Sequence, residues 1–462
     1  MADMTNVNNT LNKRTALLVA TLGSFLTPFM GSSITVALPS IGSELAMDAI
    51  SLGWVATAYL LASAMFLVPF GRIADIHGRK KVFTFGIIIF TAASLLSAFS
   101  PSATVLIALR ALHGIGGAMI FGTGVAILTS VFPAEERGRA LGINVAAVYL
   151  GLSLGPFLGG FLTQYFGWRS VFLAAVPPGI IVLIFTYRKL KGEWAEARGE
   201  KLDIPGSIIY SLTLVALIYG ATLLPEMTGI WLIVAGTIGV MMFIKWETKV
   251  SSPVLNMDMF RNNRTFALSN LAALINYSAT FAVSFLLSLY LQYIKGFSPQ
   301  NAGMVLISSP AIQAIFSPLA GRLSDRIEPR IVASAGMGFT VIGLILLIFL
   351  NEQTGLWFIV ASLAILGFGF ALFSSPNTNA IMSSSEKRFY GVASATLATM
   401  RQLGMMFSMG MVMLIFTVYI GRVQITPEYY PFFLRSVNTA FIIFAVLCFG
   451  GIFASLARGK IR

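Results

Sequence analysis

The stretch "GRIADIHGRKK", residues 71–81, sets Arg72, Asp75, Arg79, Lys80 and Lys81 into a short segment of a chain that otherwise avoids charge. Charged residues make up 11% of the 462 residues and hydrophobic ones 56%, and the mean hydropathy is +0.83. A water-soluble domain is about a quarter charged. This chain has too few charges to cover a water-facing surface, and the bilayer is its natural solvent. The stretch also has an echo. "GRLSDRIEPR", residues 321–330, again follows an apolar run, begins Gly-Arg and places an acid four residues after the Gly. Asp75 and Asp325 fall at matching places in the two copies. A charged segment recurring across so long an apolar chain marks duplicated halves.

About 20 apolar residues of helix cross a hydrocarbon core of roughly 30 Å. Runs of that kind fall at 15–40, 51–70, 82–99, 103–131, 139–163, 170–188, 205–224, 229–246, 266–294, 300–320, 331–350, 355–381, 389–420 and 434–457. They read as helices, because they are long and lack the period-two alternation of barrel strands. The expected fold is therefore an all-α polytopic membrane protein with 14 transmembrane helices. Spans 1–6 and 9–14 form two six-helix repeats, each charged segment lying after the second helix of its set. Spans 7 and 8 are an inserted pair. The expected division is 1–190 for the first repeat, 191–262 for the linker with its two extra spans, and 263–462 for the second repeat. The joining segments "KLKGEWAEARGEKLD" (189–203) and "ETKVSSPVLNMDMFRNN" (247–263) are the most polar stretches and are expected along the inner interface.

Charge placement tests this count. With both termini inside, Arg169, Lys295, Arg422 and Arg435 fall outside and Arg110 and Arg401 lie within spans; the remaining 25 of 31 basic residues sit on the inner side. Inner loops carry the Lys and Arg excess, so the net charge of +13 reads as topology and calls for no nucleic-acid partner. The expected location is the cell membrane, multi-pass, with cytoplasmic termini. The first span is too long and too late for a cleaved signal peptide. One cysteine (Cys448) and two histidines (His77, His113) build neither a disulfide framework nor a multi-ligand metal site. No phosphate-cradling Walker loop occurs, and no cofactor is expected. An enzyme lacks a nucleophile, base and acid within the spans; a channel lacks a filter-like segment or ring of charge. A sensory role on the same fold stays open.

Further motifs fall in order on the expected elements: "WVATAYLLA" (54–62), "RALHG" (110–114), "VFPAEERGRA" (131–140), "GLSLGPFLGG" (151–160), "SSPNTNAI" (374–381) and "GVASATLATMRQLG" (391–404). With residues 71–81 they resemble the major facilitator superfamily, in its fourteen-helix drug:proton antiporter branch, over nearly the whole chain. The resemblance implies a monomer embedded in membrane lipid that exports a small-molecule substrate by alternating access. It also implies a latch between the inner ends of the halves, formed here by Gly71, Asp75, Gly78 and Arg79 with Asp325 in the second copy. By their own chemistry the two glycines permit close approach and tight turning, and Asp75 can accept from helix N–H groups or a nearby Arg. The plainer alternative is a basic, topology-setting loop. Gly151, Gly155, Gly159 and Gly160 put small residues on one helix surface, and Pro156 removes a backbone donor, so close packing and a kink are expected. The resemblance makes this the packing seam of exporters.

Charges inside the membrane are costly and usually functional. Arg110 and Arg401 are the two within spans, and His113 lies one turn from Arg110. The resemblance gives Arg110 a part in coupling or in lining the cavity. His113 stands where the motif usually has Gln; it titrates near neutrality, or it substitutes for Gln as a hydrogen-bonding group. Arg401 with Gln402 matches the branch's thirteenth helix, where it can act as glue. The chain departs from the pattern at "FMGSSITVALP" (29–39), in which Met30 takes the place of an Asp and Ser32 and Thr35 keep polar positions. None of the 18 acidic residues falls in mid-span, and a buried carboxylate is what normally carries the proton and attracts cationic drugs. The expected activity is export of hydrophobic or amphipathic molecules, with proton coupling left without its usual carrier. The alternatives are proton-coupled antiport of cationic drugs through His113 or Asp75, and transport of an anionic or lipid-like substrate that meets Arg110 or Arg401. Met30, Ser32, Asn144, Asn276, Tyr277, Gln292, Gln313, Asn377 and Asn379 are the cavity candidates, and the polar ones read equally well as interhelical hydrogen-bonding groups.

Overall fold

A computed structural model describes residues 2–250, 257–324, 326–385 and 390–459. Among them are 14 helices long and apolar enough to cross a membrane: α1 Asn12–Glu44, α2 Ala49–His77, α3 Arg79–Ala98, α4 Ala103–Val131, α5 Arg139–Phe166, α6 Arg169–Arg188, α7 Ile204–Leu223, α8 Met227–Glu247, α9 Arg264–Ile294, α10 Pro299–Ser324, α11 Pro329–Ile348, α12 Leu356–Ser383, α13 Val392–Tyr419 and α14 Pro427–Ala457. No strand occurs among the described residues. Each helix matches a span expected from the apolar runs, and α4 matches it at both ends. α9 is interrupted at Phe281 and closes in a π-helical turn, Tyr290–Ile294.

Local chemistry sets many of the boundaries. Asp48, Ser102, Asp203, Asn263 and Ser298 cap the starts of α2, α4, α7, α9 and α10 by accepting from N–H groups of the first turn, which satisfies donors no helix can satisfy itself. α2 extends to His77, seven residues past the apolar run. The first charged stretch is therefore two helical turns, a break at Gly78 with φ of +122° and the start of α3, not a loop. Hydropathy misses such an extension because helices go on past the hydrocarbon, where water and ion pairs solvate their ends.

The two six-helix sets pack alike. In the first, α1 lies on α5, α2 on α4, and α3 on α4 and α6; in the second, α9 lies on α13, α10 on α12, and α11 on α12 and α14. The duplication extends to single residues. Gly86 of α3 lies against Gly116 of α4 just as Gly336 of α11 lies against Gly369 of α12, backbone to backbone, with no room for a methyl group. Such small-residue contacts let helices associate in lipid, where the hydrophobic effect gives no drive between them. The inserted α7 and α8 pack on each other, and α7 leans on both α2 and α13.

With an even number of crossings, both ends of the chain lie on one face, which also carries residues 71–81 and 321–330; this is termed the basic face. The halves bond to each other from the middle of the bundle outward. Ser288 Oγ donates to Thr35 O at 2.7 Å and Gln292 Nε2 to Val36 O at 2.9 Å. Thr57 Oγ1 donates to Met413 Sδ at 3.0 Å, and Ala49 N to Val423 O at 3.0 Å. Gly160 and Gly303 bring α5 and α10 into contact, Gly160 against Pro299 and Gly303 against Pro156. Among the described residues no hydrogen bond or ion pair joins the two halves at the basic face.

Candidate functional site

The glycine seam of α5 does two jobs. Gly151, Gly155 and Gly159 press against Phe25, Ser32 and Ser33 of α1, while Gly160 and Pro156 face α10 of the other half. Ser33 Oγ donates to Gly155 O at 2.9 Å, and Ser32 Oγ to Pro28 O at 2.7 Å and Gly151 O at 3.3 Å. One helix thus carries both an internal seam and a seam between halves.

The two intramembrane arginines sit in different surroundings. Arg110 is 1% exposed. Its Nε donates to Val55 O at 2.9 Å, its Nη1 meets His113 Nδ1 at 2.9 Å, and its guanidinium lies 4.6 Å from the centre of the Tyr59 ring. Arg can only donate, so His113 Nδ1 must accept. The imidazole proton is then on Nε2, which faces Ser94 Oγ at 3.1 Å. The Phe90 ring closes the pocket, its centre 3.9 Å from that of the imidazole. A second proton on His113 would remove the acceptor Arg110 uses and set two cations against each other. The arrangement holds α2, α3 and α4 together; it offers no free nitrogen to a proton path.

Arg401 is half-buried. Its Nη2 donates to Thr378 Oγ1 at 2.8 Å and its guanidinium lies 5.6 Å from the centre of the Tyr277 ring, while its Nε has no partner among the described residues. Tyr277 packs edge-on to Phe370, ring centres 5.2 Å apart. Across the gap, Tyr149 of α5 brings its hydroxyl to 3.5 Å from Ser374 Oγ of α12. A polar and aromatic cluster is thereby assembled from both halves, between the middle of the bundle and the basic face. Of its members only Tyr277 and Arg401 were expected from sequence. Tyr149, Ser374, Thr378 and Phe370 carry no pattern of their own; Ser374 and Thr378 lie inside the "SSPNTNAI" motif, one turn apart on the same face.

Several cavity candidates bond or pack between helices. Met30 is 0% exposed inside the hydrophobic core. Ser32 serves the α1–α5 seam, and Gln292 the closed ends of α1 and α9. Asn377 bridges Ser269 O at 3.1 Å and Arg458 Nη1 at 2.7 Å, and Asn379 donates to Ser324 Oγ at 3.0 Å. The physical reason is common to all four polar ones: in a dry bundle a side-chain donor is held by whichever carbonyl, hydroxyl or amide a neighbouring helix presents. Asn144, Asn276 and Gln313 are buried as well. Arg458, one residue beyond the last apolar run, is 1% exposed and ties α14 to α9, α12 and Pro329 O. Burial, and then the Arg330 charge, pushes its guanidinium down to about 10, still cationic at neutral pH.

The first charged stretch is gripped by the segment joining α6 to α7. Arg79 binds Glu196 through both guanidinium ends, at 2.8 and 3.0 Å, and Asp75 Oδ1 at 2.8 Å. Arg72 pairs with Glu200, and Lys80 N donates to Glu193 Oε1 at 2.9 Å. Backbone bonds run from Arg79 N to Trp194 O and from Ala197 N to Asp75 O. Gly78 is needed here twice over, because its φ is positive and the Glu193 carboxyl fills the space a Cβ would take. Gly71, by contrast, has open space beside it. Among the described residues Asp75 and Arg79 therefore engage this strap and not the opposite half. Asp325 lies outside the described residues. The signal for the strap was present in the sequence, three Glu at 193, 196 and 200 opposite a basic stretch, but nothing in it named the partner.

Fourteen apolar helices in two like-packed sets, meeting over a polar cluster that both supply, define a multi-pass membrane protein of the transporter type. The comparisons go further: the sequence pattern of the Major Facilitator Superfamily matches residues 20–263 and 269–460, and the chain belongs to that family. It is 29% identical to the riboflavin transporter RibZ of Clostridioides difficile over 94% of this chain and 95% of that one. It is 31% identical to the multidrug resistance protein Stp of Mycobacterium tuberculosis over 84% of this chain and 73% of that one. Its fold is that of a bacterial homologue of the human lysosomal transporter Spinster, with a TM-score of 0.70, 17% identity and 97% of each chain covered.

Proposed function

We propose that this chain is a plasma-membrane exporter of amphipathic small molecules, neutral or anionic, working as a monomer with both termini in the cytoplasm. The observation that carries the reading is the cluster of Tyr149, Ser374, Tyr277, Thr378 and Arg401, which offers hydroxyls, aromatic faces and an incompletely satisfied cation. Among the described residues no acid lies in mid-span; the most buried ones, Glu247 and Asp203, sit at the base of the inserted pair. A cationic drug held about 6 Å from a guanidinium would meet roughly 3 kcal/mol of repulsion at an effective dielectric near 20. An anion, or a planar ring rich in carbonyls, finds a donor fork and stacking partners there. A flavin is within this class, in keeping with the name of the clostridial relative.

Alternating access fits the placement of the contacts between halves. The basic face is taken as cytoplasmic because Lys and Arg gather there. Rocking about the α1–α9, α2–α13 and α5–α10 contacts would open the other face, and Gly71, Asp75, Gly78 and Arg79 would then exchange the strap for the second half. His113, committed to Arg110 and Ser94, gives proton coupling no carrier. The test is transport into vesicles containing the purified chain, with riboflavin, carboxyfluorescein and ethidium as neutral, anionic and cationic probes, with and without a pH gradient. Movement of the first two is expected and persists, at least in part, when an uncoupler collapses the gradient. Transport of ethidium alone, and only with the gradient, would overturn the reading in favour of cationic-drug antiport.

A further inference from the structure

The duplicated charged segments give Arg72 and Arg322 equivalent places, and the two meet different fates. Arg72 is paired with Glu200 of the strap. Arg322, in the last turn of α10, and Arg326, beyond its end, are exposed, and their guanidiniums have no hydrogen bond or ion pair among the described residues. Both stand at the end of a groove of about 510 Å³ between α10 and α12, walled by Phe316, Leu319 and Leu323 on one side and Phe368 and Leu372 on the other. Its floor is aromatic: the Phe368 ring sits between those of Phe316 and Phe339, edge to face and 5.1 Å from each. The groove faces away from the cleft. Phe370 and Ser374 of α12 turn toward Tyr277 and Tyr149, and residues 368 and 372 fall on the opposite side, since two positions along a helix turn by about 200°.

We propose that this groove binds an anionic phospholipid of the leaflet on the basic face, with one acyl chain along Leu319 and Leu323 and the phosphate between Arg322 and Arg326. Two guanidiniums at the end of one groove repel each other unless an anion lies between them, and their planar forks suit phosphate oxygens. Anionic headgroups are found at this depth, beside an apolar channel in which a chain can lie. The lipid would do for the second half what the acidic strap does for the first.

The test is native mass spectrometry of the full-length protein, titrated with phosphatidylglycerol and with phosphatidylcholine of the same chains. Phosphatidylglycerol should be retained at the lower concentration. Arg322→Gln with Arg326→Gln should weaken it about 25-fold, roughly fivefold for each basic residue, and leave phosphatidylcholine unchanged. The corresponding double Lys variant should keep most of the preference. Leu319→Trp, which fills the groove but spares both arginines, should also lower retention of phosphatidylglycerol. Glycerol phosphate, a headgroup without chains, should fail to compete. Equal retention of the two lipids, wild-type retention by the double Gln variant, or competition by glycerol phosphate would each overturn the proposal. Thermal unfolding of each variant confirms that the protein measured is folded; both arginines are exposed, so their replacement leaves the packing intact.

Discussion

Arg110 and Arg401 are the same residue type inside the membrane, one in each half, Arg110 seven residues from the end of α4 opposite the basic face and Arg401 nine residues from the basic-face end of α13, and they differ in how fully they are satisfied. Arg110 has a carbonyl, an imidazole nitrogen and an aromatic face, and no water reaches it. Arg401 has one hydroxyl and a more distant ring, with part of its guanidinium left over. A cation inside a membrane protein can be taken up wholly by neighbouring helices or keep hydrogen-bonding capacity in reserve, and the proposed role of Arg401 rests on the second case.

The largest effect should come from removing the satisfied cation. Arg110→Ala strands Val55 O and His113 Nδ1 in a dry pocket and leaves a void, at a cost of about 3 kcal/mol or more; little folded protein should survive thermal unfolding in detergent. If it melts like wild type, the skeleton reading of Arg110 is wrong. Arg401→Gln should do the converse, leaving the melting curve in place while export of an anionic probe falls tenfold or more, about 1.4 kcal/mol. Tyr149→Phe deletes the hydroxyl that reaches Ser374 and should reduce export severalfold, by about 1 kcal/mol for one hydrogen bond. The smallest change is expected from His113→Gln, since an amide can accept from Arg110 and donate to Ser94 at once. Its melting temperature should shift by less than about 1 kcal/mol allows, and its transport profile between about pH 5 and 8 should overlay that of wild type. A profile that flattens in this variant would move His113 from scaffold to proton carrier.

The contrast between the arginines also shows where sequence reading runs out. Membrane depth was legible, because long apolar runs and basic loops report on lipid directly, and the echo of residues 71–81 at 321–330 disclosed the duplication. Direction was not. Ser32, Gln292, Asn377 and Asn379 looked like Asn144 or Tyr277 in the sequence, yet each is taken up by a neighbouring helix. The spans are apolar nearly all round, so no polar stripe marks which side faces the cleft, and only packing decides whether a side chain meets a carbonyl or open space. Met30 is a different case: with an apolar side chain at this position, it packs wholly within the hydrophobic core. Arg458 escaped notice because it lies just past the run that defines its helix, although burial makes it as much a part of the bundle as any phenylalanine.

The placement of α7 has a consequence for entry from the bilayer. Two seams separate the halves sideways, one between α2 and α13 and one between α5 and α10. α7 spans the first, bonding α2 through Tyr210 Oη to Ala64 O at 3.1 Å while resting on α13; among the described residues no helix covers the second in this way. A greasy molecule dissolved in the leaflet thus finds one sidewall shuttered and the other bare. The extra helix pair makes a nearly symmetric machine one-sided toward lipid.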